Sequence, residues 1–259
     1  MTNFALLCTQ NKLTCVNLII DIGNTMAKIA VFDAGNPVEV CYDSNQNLEH
    51  LRQLTANYPV KRGITSSVVE LTDGLREQIE SCGVPMLYFD SQVPVPVTNR
   101  YATPQSLGAD RLAAVVAAHS LMPDREVLVI DAGTCITYEL VDADGNYWGG
   151  NISPGMNMRF KALHAFTGKL PLVEQEGGCP ELGCSTETAI RAGVKQGIIW
   201  EIEGYITHWQ NKYPRLGVCL TGGDDFPLNC DDKIAVVTDK MLVLKGLDRI
   251  LEFNNDTIQ

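Results

Sequence analysis

Two turns in this sequence combine an acid, a glycine and hydroxyl or amide side chains directly after an apolar run. The first contains Asp21 and Gly23, and the second contains Asp131 and Gly133. A glycine lets the backbone turn tightly, and N–H groups and hydroxyls at such a turn can bind phosphate while the acid faces a cation. An ordinary β-hairpin carries the same D-x-G signal, so either copy alone supports both interpretations. The repetition favours two phosphate loops that bind one nucleotide.

A second pair of reactive side chains, Asp110 and Arg111, follows Gly108 at the start of a predicted helix. A guanidinium can bind a carboxylate through two parallel hydrogen bonds, and a carboxylate beside a primary hydroxyl can accept its proton. The alternative is that Asp110 only places a favourable negative charge at a helix N-terminus. The residues by themselves leave both interpretations open.

Hydrophobic periodicity predicts an α/β chain whose second half repeats the plan of the first. The elements predicted in the first half are a strand pair over 17–33, strands 38–42, 62–67 and 86–89, and helices 48–58, 71–82 and 106–121. A proline-rich loop is predicted over 90–105. The elements predicted in the second half are a hairpin from residue 126, a loop 149–158, a helix 159–166, an irregular segment 170–183, a long helix from its N-cap Ser185 to about Lys212, strands 217–220 and 234–237, and a helix 241–253.

Several motifs in order carry a resemblance to a known family. They are Asp21-Ile-Gly-Asn-Thr, Tyr101-Ala-Thr-Pro-Gln-Ser-Leu-Gly-Ala-Asp-Arg111, Asp131-Ala-Gly-Thr, Gly149-Gly-Asn-Ile-Ser-Pro-Gly155, Ser185-Thr-Glu-Thr-Ala-Ile-Arg-Ala-Gly193 and Thr221-Gly-Gly-Asp224. The two loop motifs resemble those of the acetate and sugar kinase, Hsp70 and actin superfamily. The whole set, from about Asn17 to the C-terminus, resembles type III pantothenate kinases, which phosphorylate the 4′-hydroxyl of pantothenate with ATP in the first step toward coenzyme A.

The resemblance implies an α/β fold of two ribonuclease-H-like, actin-like ATPase domains with a cleft between them. The limits expected are an N-terminal extension over 1–16, a first domain over 17–124 and a second over 125–259. It also implies a homodimer. Another small-molecule kinase of the superfamily, such as a sugar kinase, and a non-catalytic nucleotide-binding regulator of the same fold are the alternatives.

The resemblance also assigns roles to residues at matching positions. The ATP contacts implied are Asp21, Ile22, Gly23, Asn24, Thr25, Met26, Ala27, Lys28 and Thr134. The pantothenate contacts implied are Tyr101, Gly108, Ala109, Asp110, Arg111 and Thr186. Asp110 is then the catalytic base, Arg111 holds the pantothenate carboxylate, and Asp131 binds a monovalent cation, K⁺ or NH₄⁺, while Mg²⁺ accompanies the ATP. At residue 139 the expected acid is Asp, whereas this chain has Glu139, which puts fine cation geometry in question.

Composition limits the partners and the compartment. The 259 residues carry a net charge of −11, which argues against binding to nucleic acid or to an anionic membrane. Nine cysteines, an odd number without a C-x-x-C pair, indicate a reducing cytoplasm. No apolar run is long enough to span a bilayer, and the N-terminal residues lack the pattern of a signal peptide, so a soluble cytoplasmic enzyme is expected.

Overall fold

Two β-sheets with matching strand order make up the protein, which a computed structural model describes over residues 15–229 and 234–255. The elements of the first sheet are, in chain order, β1 (Val16–Ile22), β2 (Met26–Asp33), β3 (Asn36–Ser44), α1 (Leu51–Asn57), β4 (Val60–Ser67), α2 (Asp73–Glu80) and β5 (Met86–Tyr88). The strands pair in the order β3-β2-β1-β4-β5. β1 is antiparallel to β2 and parallel to β4, so a hairpin and a crossover meet at the central strand.

The second sheet repeats this connectivity. Its elements are β6 (Thr98–Asn99), α3 (Ala109–Leu121), β7 (Val127–Ala132), β8 (Cys135–Val141), β9 (Asn146–Pro154), α4 (Met156–Ala165), α5 (Thr186–Lys212), β10 (Gly217–Gly222), β11 (Ala235–Thr238) and α6 (Leu242–Phe253). The strands pair in the order β11-β10-β7-β8-β9-β6. Without the short edge strand β6, this order matches that of the first sheet strand for strand. The predicted α/β class and its duplication are confirmed.

Each central strand is buried on both faces, as its β-branched run predicts. In the first sheet, alternate residues of β1 such as Leu18 and Ile20 pack with Leu51 and Leu54 of α1. In the second sheet, Leu128 and Ile130 pack in one cluster with side chains of α4 and α5. The odd-numbered residues of β7 and β8 therefore face the opposite side, where α3 packs.

Helix α5 begins and buries its face as its sequence predicts. The side chain of Ser185 accepts a hydrogen bond from the backbone N–H of Thr188, and the Thr188 side chain accepts one from the Ser185 N–H. This reciprocal pairing satisfies N–H groups that have no partner within the helix. The buried stripe of the helix consists of Ile190, Val194, Ile198, Ile202 and Ile206.

Helices α3 and α6, which follow the last strand of each repeat, pack closely on one another. A Cβ atom added to Gly246 of α6 would lie 1.8 Å from the carbonyl oxygen of Ala113 in α3. Only a glycine permits this approach, and the residues of α3 from Arg111 to Ala118 are all buried.

The chain divides into two compact units, one formed by the residues up to Tyr88 together with Asn255 and the other by Phe89–Asn254. Packing thus groups residues 89–124 with the second unit, because α3 lies on α6 and on the second sheet. The predicted limits, 17–124 and 125–259, divide the chain by its duplicated order instead, and they remain a prediction. Residues 1–14 of the predicted extension lie outside the described residues.

One segment differs clearly from its prediction. Residues 149–158 were expected to form a loop, but β9 continues to Pro154 and α4 begins at Met156. Two adjacent glycines and a proline give this segment a low local preference for a strand, so the sequence predicted a loop. Pairing with β8 stabilises the strand, with Glu139 opposite Gly150. Within the predicted proline-rich loop, Thr98–Asn99 also pairs with β9.

Candidate active site

The first predicted phosphate loop is the turn between β1 and β2. The Gly23 N–H donates to the Met26 carbonyl at 2.9 Å, which closes the turn. Asp21 is buried at the end of β1 and accepts a hydrogen bond of 2.9 Å from the Ser66 hydroxyl on β4. The residues predicted to contact ATP from Asp21 to Lys28 therefore form one hairpin.

An asparagine that the sequence did not single out supports this loop. Asn45, just after β3, donates its side-chain N–H groups to the carbonyls of Gly23 at 3.2 Å and Asn24 at 2.6 Å. Both hydrogen bonds fix the positions of loop carbonyls, while the side chains of Asn24 and Thr25 are exposed to solvent. The loop is thus held in shape with its tip accessible.

The second predicted loop, between β7 and β8, is also a tight turn closed by its glycine, but it is one residue shorter than the first. The Gly133 N–H donates to the Cys135 carbonyl at 2.9 Å, and Thr134 is exposed at the tip. Gly155 packs beneath the loop, since its N–H donates to the Thr134 carbonyl at 3.1 Å. A Cβ atom on Gly155 would lie 2.1 Å from the Gly133 carbonyl oxygen, so a larger residue there would displace the loop.

Oxygen-bearing side chains surround the acid of the second loop. Asp131 on β7 is opposite Thr137 on β8 and opposite Thr221 on β10. Residues opposite one another on neighbouring strands have their side chains on the same face of a sheet. One carboxylate and two hydroxyls consequently share the sheet face on which α3 packs.

The Thr221-Gly-Gly-Asp224 motif lies beside the second loop, at the end of β10. The Asp224 N–H donates to the Ala132 carbonyl at 3.0 Å. Gly222 has a φ of +97°, and a Cβ atom there would lie 2.2 Å from the same Ala132 carbonyl oxygen. This glycine therefore allows the end of β10 to approach the loop.

Asp110 and Arg111 lie in the first turn of α3, where the sequence predicted them. The Asp110 carboxylate accepts a hydrogen bond of 2.8 Å from the Arg111 backbone N–H. A Cβ atom on Gly108, the N-cap residue, would lie 2.5 Å from this carboxylate. Burial raises the pKa of Asp110 above its ordinary value, although the Arg111 N–H and the Arg111 charge act to lower it. Asp110 is thus a carboxylate whose affinity for a proton exceeds that of an ordinary aspartate.

A bidentate ion pair holds the Arg111 side chain. Its Nε donates to Glu139 Oε1 at 2.5 Å and its Nη2 donates to Glu139 Oε2 at 2.8 Å. Arg111 is 7% exposed and Glu139 1% exposed. Burial disfavours the charged guanidinium, but the hydrogen bonds and the charge of Glu139 outweigh it and raise the pKa of Arg111. Arg111 therefore remains charged although it is buried.

Two tyrosines complete this cluster. The Tyr147 hydroxyl donates to Glu139 Oε2 at 2.6 Å. Burial and the charge of Glu139 raise the pKa of Tyr147, so the phenol stays protonated and remains a donor. Tyr101 stacks on Tyr147 with ring centroids 6.2 Å apart, and the Arg111 guanidinium lies 5.5 Å from the centre of the Tyr101 ring.

The structure thus brings together five of the six residues predicted to contact the acceptor substrate, from Tyr101 and from the start of α3. It also adds Glu139 and Tyr147. The sixth, Thr186, is the first residue of α5 and is exposed. It lines an apolar groove of about 1020 Å³ between α4 and α5. Among the described residues, no hydrogen bond or ring contact joins Thr186 to the Arg111 cluster.

Comparison with known proteins identifies the family. A family model described as type III pantothenate kinase matches residues 17–208. The chain belongs to the type III pantothenate kinase family. Its members are ATP-dependent kinases, so the substrates are ATP, bound with a divalent metal ion, and pantothenate.

Relatives in this family match nearly the whole chain. Type III pantothenate kinase of Bacteroides fragilis is 56% identical over 94% of this chain and all of the relative. The enzyme of the same name from Phocaeicola vulgatus is 57% identical over 93% of this chain and 99% of the relative. The type III pantothenate kinase of Porphyromonas gingivalis is 46% identical over 92% of this chain and 98% of the relative.

Solved structures show the same fold at low sequence identity. A conserved Baf family protein of Campylobacter jejuni has a TM-score of 0.56 at 22% identity, covering 92% of this chain and 99% of its own. A ROK family glucokinase from Streptomyces griseus, in complex with glucose and AMPPNP, has a TM-score of 0.52 at 10% identity. The match covers 93% of this chain and 99% of the glucokinase chain. The ribonuclease-H-like, actin-like ATPase architecture predicted for a pantothenate kinase of this type is confirmed.

Two features are absent from the part of the chain that the structure describes. In that part of the chain, no helix combines the length and the apolar character needed to cross a membrane. Within residues 15–229 and 234–255, no three His, Cys, Asp or Glu side chains are close enough together to hold a metal ion.

Proposed function

We propose that this kinase transfers the γ-phosphate of ATP to the 4′-hydroxyl of pantothenate at the start of α3, with Asp110 as the base and Arg111 binding the pantothenate carboxylate. One observation carries the proposal: a half-buried aspartate with a raised pKa and a buried, oriented arginine are neighbours in the first turn of one helix. This pair matches an acceptor that has both a primary hydroxyl and a carboxylate.

The raised pKa of Asp110 suits a general base. A base works best when its pKa approaches the pH at which the enzyme operates, because it then accepts a proton readily and is still largely ionised. Phosphoryl transfer passes through a loose transition state, so the hydroxyl proton moves only as the new P–O bond forms. Asp110 would accept this proton on the carboxylate oxygen nearest the hydroxyl.

Arg111 retains donors for the substrate. The ion pair with Glu139 uses its Nε hydrogen and one hydrogen of Nη2. A guanidinium has five N–H donors, so the two hydrogens on Nη1 and the second on Nη2 lie outside this pair. These donors can bind the pantothenate carboxylate with charge-assisted hydrogen bonds.

The two turns at Gly23 and Gly133 are proposed to bind the ATP phosphates through backbone N–H groups and the side chains at their tips. Thr134 and the hairpin residues 21–28 are the proposed contacts. The Mg²⁺ that accompanies ATP neutralises charge on its phosphates.

A comparison of acceptor substrates tests the function. The purified protein with ATP should release ADP in the presence of pantothenate and not in the presence of glucose or acetate. Glucose has primary and secondary hydroxyls but no carboxylate to bind Arg111, so it is the matched control for a sugar kinase. ADP release with glucose at the rate seen with pantothenate would contradict the assignment of Arg111 to the carboxylate of the acceptor.

A monovalent cation is proposed to bind at Asp131. The carboxylate and the hydroxyls of Thr137 and Thr221 provide only oxygen ligands on one sheet face, which fits K⁺ or NH₄⁺. Such an ion would offset the phosphate charge. Activity should therefore require K⁺ or NH₄⁺, and replacing K⁺ by Na⁺ at constant ionic strength should abolish most ADP release. Full activity in Na⁺ alone would exclude Asp131 as a selective cation site.

A homodimer is proposed to form through the groove between α4 and α5. Phe166, which lines this groove, is 88% exposed, and the groove is mostly apolar. Exposed apolar patches of this kind mark interaction sites. Light scattering on dilute protein should give twice the mass of one chain. A mass of one chain would end the dimer proposal.

The proposal includes a cytoplasmic enzyme that binds neither nucleic acid nor membranes. The net charge of −11 opposes binding to polyanions. The described cysteines are free, as expected for a reducing compartment.

A further inference from the structure

We infer that Glu139 is a positioning residue for the acceptor: it orients the Arg111 guanidinium so that the site selects a substrate with a carboxylate. This inference rests on the proposed function, since it concerns the same acceptor site. It differs from the prediction made from the sequence, in which the acid at residue 139 belonged to the cation.

Every hydrogen bond of the Glu139 carboxylate is made with the acceptor cluster. Oε1 accepts from Arg111 Nε, and Oε2 accepts from both Arg111 Nη2 and Tyr147. Two parallel bonds to one carboxylate fix the plane of a guanidinium as well as its position. The third bond fixes the carboxylate itself, so the orientation of Arg111 is determined by β8 and β9 and not by its own flexible side chain.

The strand next to β8 is shaped for a glutamate at this position. Gly150 of β9 is directly opposite Glu139. A Cβ atom on Gly150 would lie 2.3 Å from Glu139 Oε2 and 2.0 Å from the Tyr138 carbonyl oxygen. Aspartate, which is one methylene shorter, would withdraw its carboxylate from the guanidinium. The longer side chain therefore lets the ion pair form across the distance between the strand and α3.

The pairing also sets the charge of the site. The Arg111 charge is matched by Glu139 before any substrate binds, so the cluster has no excess positive charge to attract anions in general. Selection of a carboxylate then depends on the direction of the remaining N–H donors. Directional donors distinguish substrates more sharply than a free charge does. Loss of Glu139 should consequently affect acceptors that have a carboxylate and spare those that lack one.

The test compares two acceptors in Glu139→Gln. Pantothenate presents a carboxylate, and pantothenyl alcohol has a hydroxyl in its place. We expect kcat/KM for pantothenate to fall about tenfold or more, a size usual for lost positioning of a binding group. The value for pantothenyl alcohol and the KM for ATP should change by less than about twofold. In an Arg111→Lys background, Glu139→Gln should cause little further loss, because both changes remove the same interaction.

A matched control exists in the same unit. Glu201 accepts a hydrogen bond from Tyr138 at 2.8 Å and from Arg159 at 2.6 Å, which is the same arginine–glutamate–tyrosine combination away from the acceptor cluster. Glu201→Gln should leave the ratio of the two kcat/KM values unchanged, even if it lowers thermal stability. A change in that ratio for Glu139→Gln alone therefore reports positioning and not the general loss of a buried ion pair.

Glu139→Gln leaves the Arg111 charge unpaired, so this variant could fail to fold. A milder variant covers that case. Tyr147→Phe removes one hydrogen bond to Glu139 and keeps the ion pair. It should lower kcat/KM for pantothenate about threefold and leave that for pantothenyl alcohol unchanged.

The outcomes separate this inference from the function on which it rests. If the unaltered protein does not phosphorylate pantothenate, the proposed function fails and the inference fails with it. If it does, the inference is overturned by equal losses on both acceptors, by no loss, or by a gain for pantothenate in the folded variants.

Discussion

Replacing Asp110 by asparagine should lower turnover by about 10²–10⁴-fold, the usual contribution of a positioned general base. Asparagine keeps the shape of the side chain and can still contact the substrate hydroxyl, but it cannot hold the proton. The measurement is ADP release at saturating ATP and pantothenate. A stable Asp110→Asn protein with near-normal turnover would falsify the base assignment and leave Asp110 as a favourable charge at a helix N-terminus.

Two controls distinguish these roles. ATP binding should survive in Asp110→Asn, because the loops at Gly23 and Gly133 are untouched. Thermal stability should change little, since an aspartate in the first turn of a helix contributes about 0.3–1 kcal/mol through the helix dipole. If the asparagine variant does not fold, Asp110→Glu keeps the charge and should retain measurable turnover if a carboxylate is needed.

The pH dependence of the unaltered enzyme provides an independent check on Asp110. Burial raises its pKa above the ordinary 3.8, and a base must be deprotonated to work. Activity should therefore fall as the pH is lowered through a value above 3.8, and the acidic limb of kcat/KM should disappear in Asp110→Asn.

Pantothenyl alcohol should be phosphorylated with a kcat/KM about a hundredfold or more below that of pantothenate. The donors of Arg111 outside its pair with Glu139 would face a neutral hydroxyl in place of a carboxylate, and a buried charged donor left poorly paired costs several kcal/mol. The measurement is the kcat/KM ratio of the two acceptors at constant ATP. Equal values would remove Arg111 from carboxylate binding, whatever the role of its partner Glu139.

Arg111→Lys serves as the matched variant for this comparison. Lysine retains the charge but lacks the planar set of donors that binds Glu139 and a second carboxylate at once. In the Arg111→Lys variant, kcat/KM for pantothenate should approach kcat/KM for pantothenyl alcohol, whereas ATP binding should be unaffected.

Local signals in the sequence were sufficient for much of the fold. Gly23 and Gly133 mark tight turns after buried strands, and both turns formed where predicted. Ser185 was recognised as a helix N-cap, and α5 begins at the next residue. Such features depend on neighbours along the chain, so their chemistry can be read without the structure.

Pairing between residues that are distant in the sequence could not be predicted from such local signals. The strand β9 contains Gly149 and Gly150, which weaken its local preference, and only its hydrogen bonds to β8 stabilise it. The sequence also showed Glu139 as an unexpected acid, but nothing in it indicated that the carboxylate reaches Arg111, 28 residues away on another element. The sequence therefore indicated the reactive residues of the candidate site, but it did not indicate the residues that orient them.

The close contact of Gly246 with Ala113 has a consequence for backbone motion. Helix α3 is buried from Arg111 to Ala118 and fits α6 without a gap, so its amide hydrogens should exchange with solvent only when the whole unit unfolds. The reactive pair at its first turn then has little freedom to adapt. Acceptor analogues of different length have to be accommodated by the proline-rich segment around Tyr101, which lies outside α3 and pairs with the second sheet through the two-residue strand β6.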